Sequence, residues 1–148
     1  GSLRFDTDDS PRLFLDPTGS GSGATKFTIS LWFKRSSLGS SQALFTGETG
    51  AVAYDILNIG SNDKLQITMQ NPNSYGLRPD MLFRDLAAWY HVVVEGDSSL
   101  GTAGDRVKIY VNGDQVSNWS SGSEHNHPPN QNYDTCVLFY NNLCRRIL

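Results

Sequence analysis

Residues 107–119 read VKIYVNGDQVSNW. Val107, Ile109 and Val111 alternate with Lys108 and Tyr110, and a second short run leads through Val116. Strict apolar/polar alternation places one set of side chains on each face of a strand. Asn-Gly between two such runs is the strongest short hairpin signal, because both turn residues must take positive φ. The stretch therefore predicts a hairpin turning at Asn112-Gly113, with Val107, Ile109 and Val111 filling a core.

The rest of the chain speaks the same language. Phe27, Ile29, Leu31 and Phe33 alternate with Thr28, Ser30, Trp32 and Lys34. Leu44-Phe45 is a short strand ending at Gly47, and 54–59 is another. Leu65, Ile67 and Met69 alternate with Lys64, Gln66 and Thr68. Residues 89–95 are β-branched and apolar on both faces, so they belong in the middle of a sheet. No helical period of ten residues occurs; 81–88 holds at most one or two turns. Many short strands separated by turn signals predict an all-β fold, an antiparallel β-sandwich or jelly roll.

Composition agrees. Glutamate occurs only at Glu48, Glu95 and Glu124, while Gly, Ser, Asn, Asp and Thr are plentiful. At 148 residues the chain fits one domain, and it reads as a segment cut from something longer. Its net charge of −3, with no run of Lys or Arg, argues against nucleic acid. No stretch approaches the roughly 20 apolar residues of a membrane span, so no membrane insertion is expected. Cys136 and Cys144 permit a disulfide but imply no framework.

Three stretches together, FTISLWFKR (27–35), AWYHVVVEGD (88–97) and DRVKIYVNGDQV (105–116), resemble laminin-G-like, concanavalin A-like jelly rolls. That group also holds pentraxins and legume-type lectins. The finer likeness is to laminin-G-like domains of marine bacteriophage tail-fibre and structural proteins. It rests on SLRFDTDDSPRLFL (2–15), FRDLAAWYHVVV (83–94) and PNQNYDT (129–135). The resemblance implies that 27–34 is an inner strand, that the Trp89-to-Glu95 strand neighbours it, and that the Asn-Gly hairpin follows. It covers roughly residues 2–135, and 1–135 is read as the jelly-roll domain. Residues 136–148, CVLFYNNLCRRIL, depart from the family's closing strands and read as an atypical tail, truncated or frameshifted. The expected sandwich thus lacks its closing C-terminal strands, with 137–140 available as a substitute.

The fold hosts unrelated activities, so function must come from a site. The family's glucanases need two carboxylates about 5 Å apart on one strand face. Their motif is Glu-x-Asp-x-x-Glu; here Glu95-Gly96-Asp97 is followed by Leu100 where the second Glu belongs. No Gly-x-Ser-x-Gly elbow occurs, and His91 reads as a packing or backbone-bonding residue. The chain is therefore expected not to be an enzyme, with a glycoside hydrolase as a distant third reading.

For metal, Asp6 and Asp8 offer hard oxygen ligands for calcium, and Asp55 sits where the pentraxin-like resemblance implies an acidic ligand. The expectation is no cofactor, with Ca²⁺ the only ion worth testing. His125 and His127 lack a third ligand. Asn118-Trp119-Ser120 matches a glycosylation sequon, a short and common pattern.

The leading reading is a carbohydrate- or surface-binding module of a larger extracellular or virion protein. Its partner would be a cell-surface glycan. Sugar binding uses aromatic rings against apolar sugar faces and amide groups for hydroxyls. Candidates are Trp119, Asn112, Asn118, Trp32 and Tyr75. Among the tryptophans, Trp119 is expected to be the exposed one, Trp32 to pack against the second sheet or a loop, and Trp89 to be core. The alternative is a structural domain that contacts other virion subunits and binds no small ligand.

Overall fold

The structure is a computed structural model. It describes residues 13–15, 25–49, 53–70, 74–120 and 144–146; at 13–15, 47–49, 53–56, 69–70, 74–75 and 144–146 only the backbone is described.

Among the described residues, ten strands form two antiparallel sheets. They are β1 (Leu13–Leu15), β2 (Lys26–Phe33), β3 (Gln42–Thr49), β4 (Ala53–Ile59), β5 (Leu65–Gln70), β6 (Ser74–Leu77), β7 (Tyr90–Asp97), β8 (Val107–Val111), β9 (Asp114–Gln115) and β10 (Cys144–Arg146). One sheet runs β1-β10-β3-β4-β5-β6, the other β2-β7-β8-β9. Among the described residues the only helical turn is Ala103–Asp105, and none is long and apolar enough to cross a membrane.

The sheets face each other across one core. Leu44, Leu57, Ile59, Leu65, Ile67 and Leu77 come from the larger sheet. Phe27, Phe33, Val92, Val94, Val107, Ile109 and Val111 come from the smaller. In β2, β5 and β8 these are residues that alternation assigns to the inside. The quoted hairpin is as its sequence dictates: Asn112 and Gly113 have φ of 53° and 95°, both left-handed as a type I′ turn requires.

Residues 78–89 carry the chain from β6 to β7 without a helix. Phe83 plugs this crossing. Its ring is completely buried, 5.0 Å from Tyr90 and 5.9 Å from Phe33. Tyr90 then holds the crossing by its hydroxyl, which accepts the Asp85 N–H at 3.1 Å.

A polar knot lies beside this apolar plug. Arg35 is buried, and its Nη1 donates to Asp63 Oδ1 at 2.7 Å and to the Phe83 carbonyl at 2.8 Å. Its Nε donates to Gln42 Oε1 at 2.9 Å. Asp63 also accepts from the Gly39 N–H and from Arg84 Nε. One carboxylate thus ties three loops together, and these donors, Arg35 first, hold its pKa at about 2.

Residues 27–34 were expected to be inner; among the described residues β2 ends its sheet, paired with β7 alone. Of the atypical tail, Cys144–Arg146 is described and runs between β1 and β3, with Cys144 opposite Gly47 and Leu15. The substitute strand expected at 137–140 lies outside the described residues.

Candidate functional site

A sandwich strand buries one face and leaves the other to water. On the four-stranded sheet the outward face is written by register. Trp32 lies opposite His91, and Ser30 opposite Val93, which lies opposite Tyr110. Thr28 is opposite Glu95, which is opposite Lys108; Lys26 is opposite Asp97. One end of this face is therefore aromatic and the other charged.

At the aromatic end, the Trp32 indole and the His91 imidazole are stacked, 4.6 Å between centroids and 11° from parallel. Trp32 nevertheless remains 60% exposed. Ser30 Oγ and His91 Nε2 share a hydrogen bond of 2.9 Å. The hairpin turn holds the other side: Asn112 Oδ1 accepts the His91 backbone N–H at 2.9 Å, and the Asn112 N–H donates to the His91 carbonyl at 2.8 Å. Trp89 continues the outward parity of His91, Val93 and Glu95 and is 49% exposed. These aromatics present a broad apolar surface ringed by hydroxyl, amide and imidazole groups, the composition that suits a sugar's alternating apolar and hydroxylated sides.

At the charged end a shallow depression of about 480 Å³ opens among Lys26, Thr28, Glu95, Asp105, Arg106 and Lys108. Asp97, beside it, bonds the Ser99 hydroxyl and backbone N–H and pairs with Lys26 at 2.9 Å. The Ser99 hydroxyl, then Lys26, lower its pKa. By register Glu95 and Asp97 share a face, and the bonds to Asp97 favour its ionised form.

The structure brings Trp32 and Asn112 together around His91. It sends Trp119 and Asn118 elsewhere. Trp119 is half-buried, packs against the core and forms a bridge with Pro79. That departs from its expected exposure. The physical reason is that the segment after β9 turns back over the 78–80 crossing: the Asn118 carbonyl accepts the Asp80 N–H at 3.0 Å, and Ser120 N–H donates to the Arg78 carbonyl at 2.9 Å. Trp32 and Trp89, expected to be packed and core, are exposed instead, because nothing described covers this outer face. Tyr75 belongs to β6 in the opposite sheet, its backbone opposite Met69; its side chain lies outside the described residues. So do Asp6 and Asp8 and the side chain of Asp55, together with His125 and His127. Among the described residues no group of three His, Cys, Asp or Glu could hold a metal.

Sequence reasoning did not single out His91 and Tyr110, both half-buried, as candidates for this face. Parity was the available signal, since Tyr110 alternates with Ile109 and Val111, and His91 with Tyr90 and Val92.

A family model described as the concanavalin A-like lectin/glucanases superfamily matches residues 9–138. The chain belongs to this superfamily. No curated protein matches the chain. Among solved structures, the chain is similar to Ruminococcus gnavus IT-sialidase CBM40 bound to alpha2,3 sialyllactose, with a TM-score of 0.50 and 15% identity. The match covers 68% of this chain and 57% of that one, so the chain spans little more than half of its neighbour's length. At that identity the likeness is one of fold.

Proposed function

We propose that this domain is a non-catalytic carbohydrate-binding module whose binding surface is the outward face of the four-stranded sheet. The observation that carries this reading is the Trp32–His91 stack, an aromatic outcrop held rigid yet 60% exposed at the indole. An exposed indole fixed by a neighbouring ring loses little freedom when a sugar stacks on it, which favours binding. Membership of a lectin-containing superfamily supports the reading, as does the sialyllactose bound to the CBM40 neighbour.

The setting we propose is extracellular, on a larger protein that recognises cell-surface glycans. The likeness of 2–15 and 83–94 to phage tail-fibre domains favours a virion. The second reading, a structural contact domain, draws on the exposed Met81, Leu82 and Leu86 of the crossing segment.

A glycan-array screen of the purified domain tests this, run with calcium and with chelator. Binding that Trp32→Ala abolishes, in a protein that still melts normally, is the expected result. A blank array from folded wild-type protein would favour the structural reading. Loss of binding in the chelator arm alone would point to calcium at Asp6, Asp8 and Asp55.

A further inference from the structure

The aromatic residues of the outward face form a row rather than a point. Trp89 and His91 are successive outward residues leading into and along β7; Trp32 stands beside His91 on β2. Tyr110 stands beside Val93, the next outward residue, on β8. From Trp89 to the level of Tyr110 is four residues along the strand and one strand across. At ~3.4 Å per residue and ~4.8 Å between strands, the row spans roughly 14 Å. That is far longer than one pyranose ring.

The row does not end in a wall. Beyond Tyr110 the same face continues through Glu95 and Lys108 into the open depression bordered by Asp105 and Arg106. Its charges are of both signs, and Lys26 and Asp97 already neutralise each other. An enclosed pocket with an uncompensated cation would suit the acidic tip of a glycan. An open track with balanced charge suits the middle of one.

We infer that the ligand of this face is an extended, linear, neutral oligosaccharide segment, gripped along several consecutive sugar rings rather than by its terminal residue. This rests on the module reading above. Trp89, the Trp32–His91 pair and Tyr110 each take an apolar ring face. Ser30, Thr28 and the mixed charges of the depression take hydroxyls.

The test is a homologous length series: β-1,4-linked and β-1,3-linked gluco-oligosaccharides of one to six rings, with sialyllactose as the terminal-sugar probe. Binding is measured by calorimetry for wild type, Tyr110→Ala and Trp89→Ala, with melting temperature as the folding control. Affinity should climb with each added ring until the row is filled. Each variant should lose about three- to tenfold on the longest oligomers, the share of one aromatic contact, and little on the shortest. Trp89→Ala keeps the test open if Tyr110→Ala melts early, because Trp89 lies outside any strand. Binding to sialyllactose or a single ring as tightly as to six rings, unchanged in both variants, would overturn the inference and leave the module reading standing. No binding of these probes by folded wild type that does bind on the glycan array would overturn the inference alone; a blank array as well would remove both.

Discussion

Phe27 lays its ring across Gly96, its partner on the neighbouring strand. A Cβ on Gly96 would lie 2.0 Å from Phe27 Cε1 and 2.6 Å from Cδ1. The ring is buried, so it has little room to yield. Gly96→Ala should therefore cost about 1–3 kcal/mol by overpacking. In a chain of this length that lowers the melting temperature by about 3–10 °C. Combined with Phe27→Leu, the loss should be smaller than the sum of the two, since the pair shares one space. Urea denaturation of the four proteins reads this directly.

Asn112 does two jobs at the hairpin. It holds φ at 53° and its side chain accepts the His91 N–H. Asn112→Ala forfeits both and should cost about 1–2 kcal/mol, the left-handed penalty setting the scale. Asn112→Gly keeps the backbone conformation and should cost less. A variant series ordering Asn, Gly, Ala in falling stability is expected; Ala equal to Gly would mean the turn is not strained.

Trp32 and Trp119 should respond oppositely to truncation. Trp32→Ala removes an exposed ring and should change stability by no more than about 0.5 kcal/mol, while removing glycan binding. Trp119→Ala removes a half-buried ring packed on the core, so roughly 2 kcal/mol of stability should go with it. Its effect on binding should be slight. Thermal melts and the glycan array, run side by side on both variants, check the exchange of roles.

Acid should loosen the polar knot before it loosens the core. The Asp63 carboxyl falls from its ordinary 3.8 to about 2 in the folded protein, chiefly through Arg35. A depressed carboxylate contributes stability fully above its unfolded value and loses it as pH falls through the folded one. Asp80, lowered mainly by its hydrogen bond to Lys64, and Asp97 act in the same direction. Stability should therefore decline between about pH 4 and pH 2. Asp63→Asn should be less stable at neutral pH and show a flatter decline over that window. Parallel curves for the two proteins would mean the knot does not govern acid sensitivity.

Local signals carried the parts of the fold that local chemistry decides. The β8–β9 hairpin was legible because alternation and an Asn-Gly turn are both written within a dozen residues. The inward sets of β2 and β5 were legible for the same reason. What parity could not supply was what covers each outward face. Trp89 follows the apolar crossing and precedes an apolar strand, so it read as core; among the described residues the sheet is covered on one side only, and the tryptophan falls on the open one. The Trp32–His91 stack was out of reach, because it depends on the register of β2 against β7 across some sixty residues of chain. Trp119 read as exposed because polar residues follow it; the bridge to Pro79 that tucks it in is likewise a distant pairing.

The neighbouring β1 and β10 belong to the sheet opposite the one that carries the tryptophans. A tether attached near either strand therefore leaves from behind the aromatic surface. Immobilised on a sensor chip through a handle placed at β1 or β10, the domain should present Trp32 and Trp89 outward to a flowing sample. Tethered and free-solution assays should then agree, and a silent chip would speak about the surface itself rather than about how the molecule was mounted.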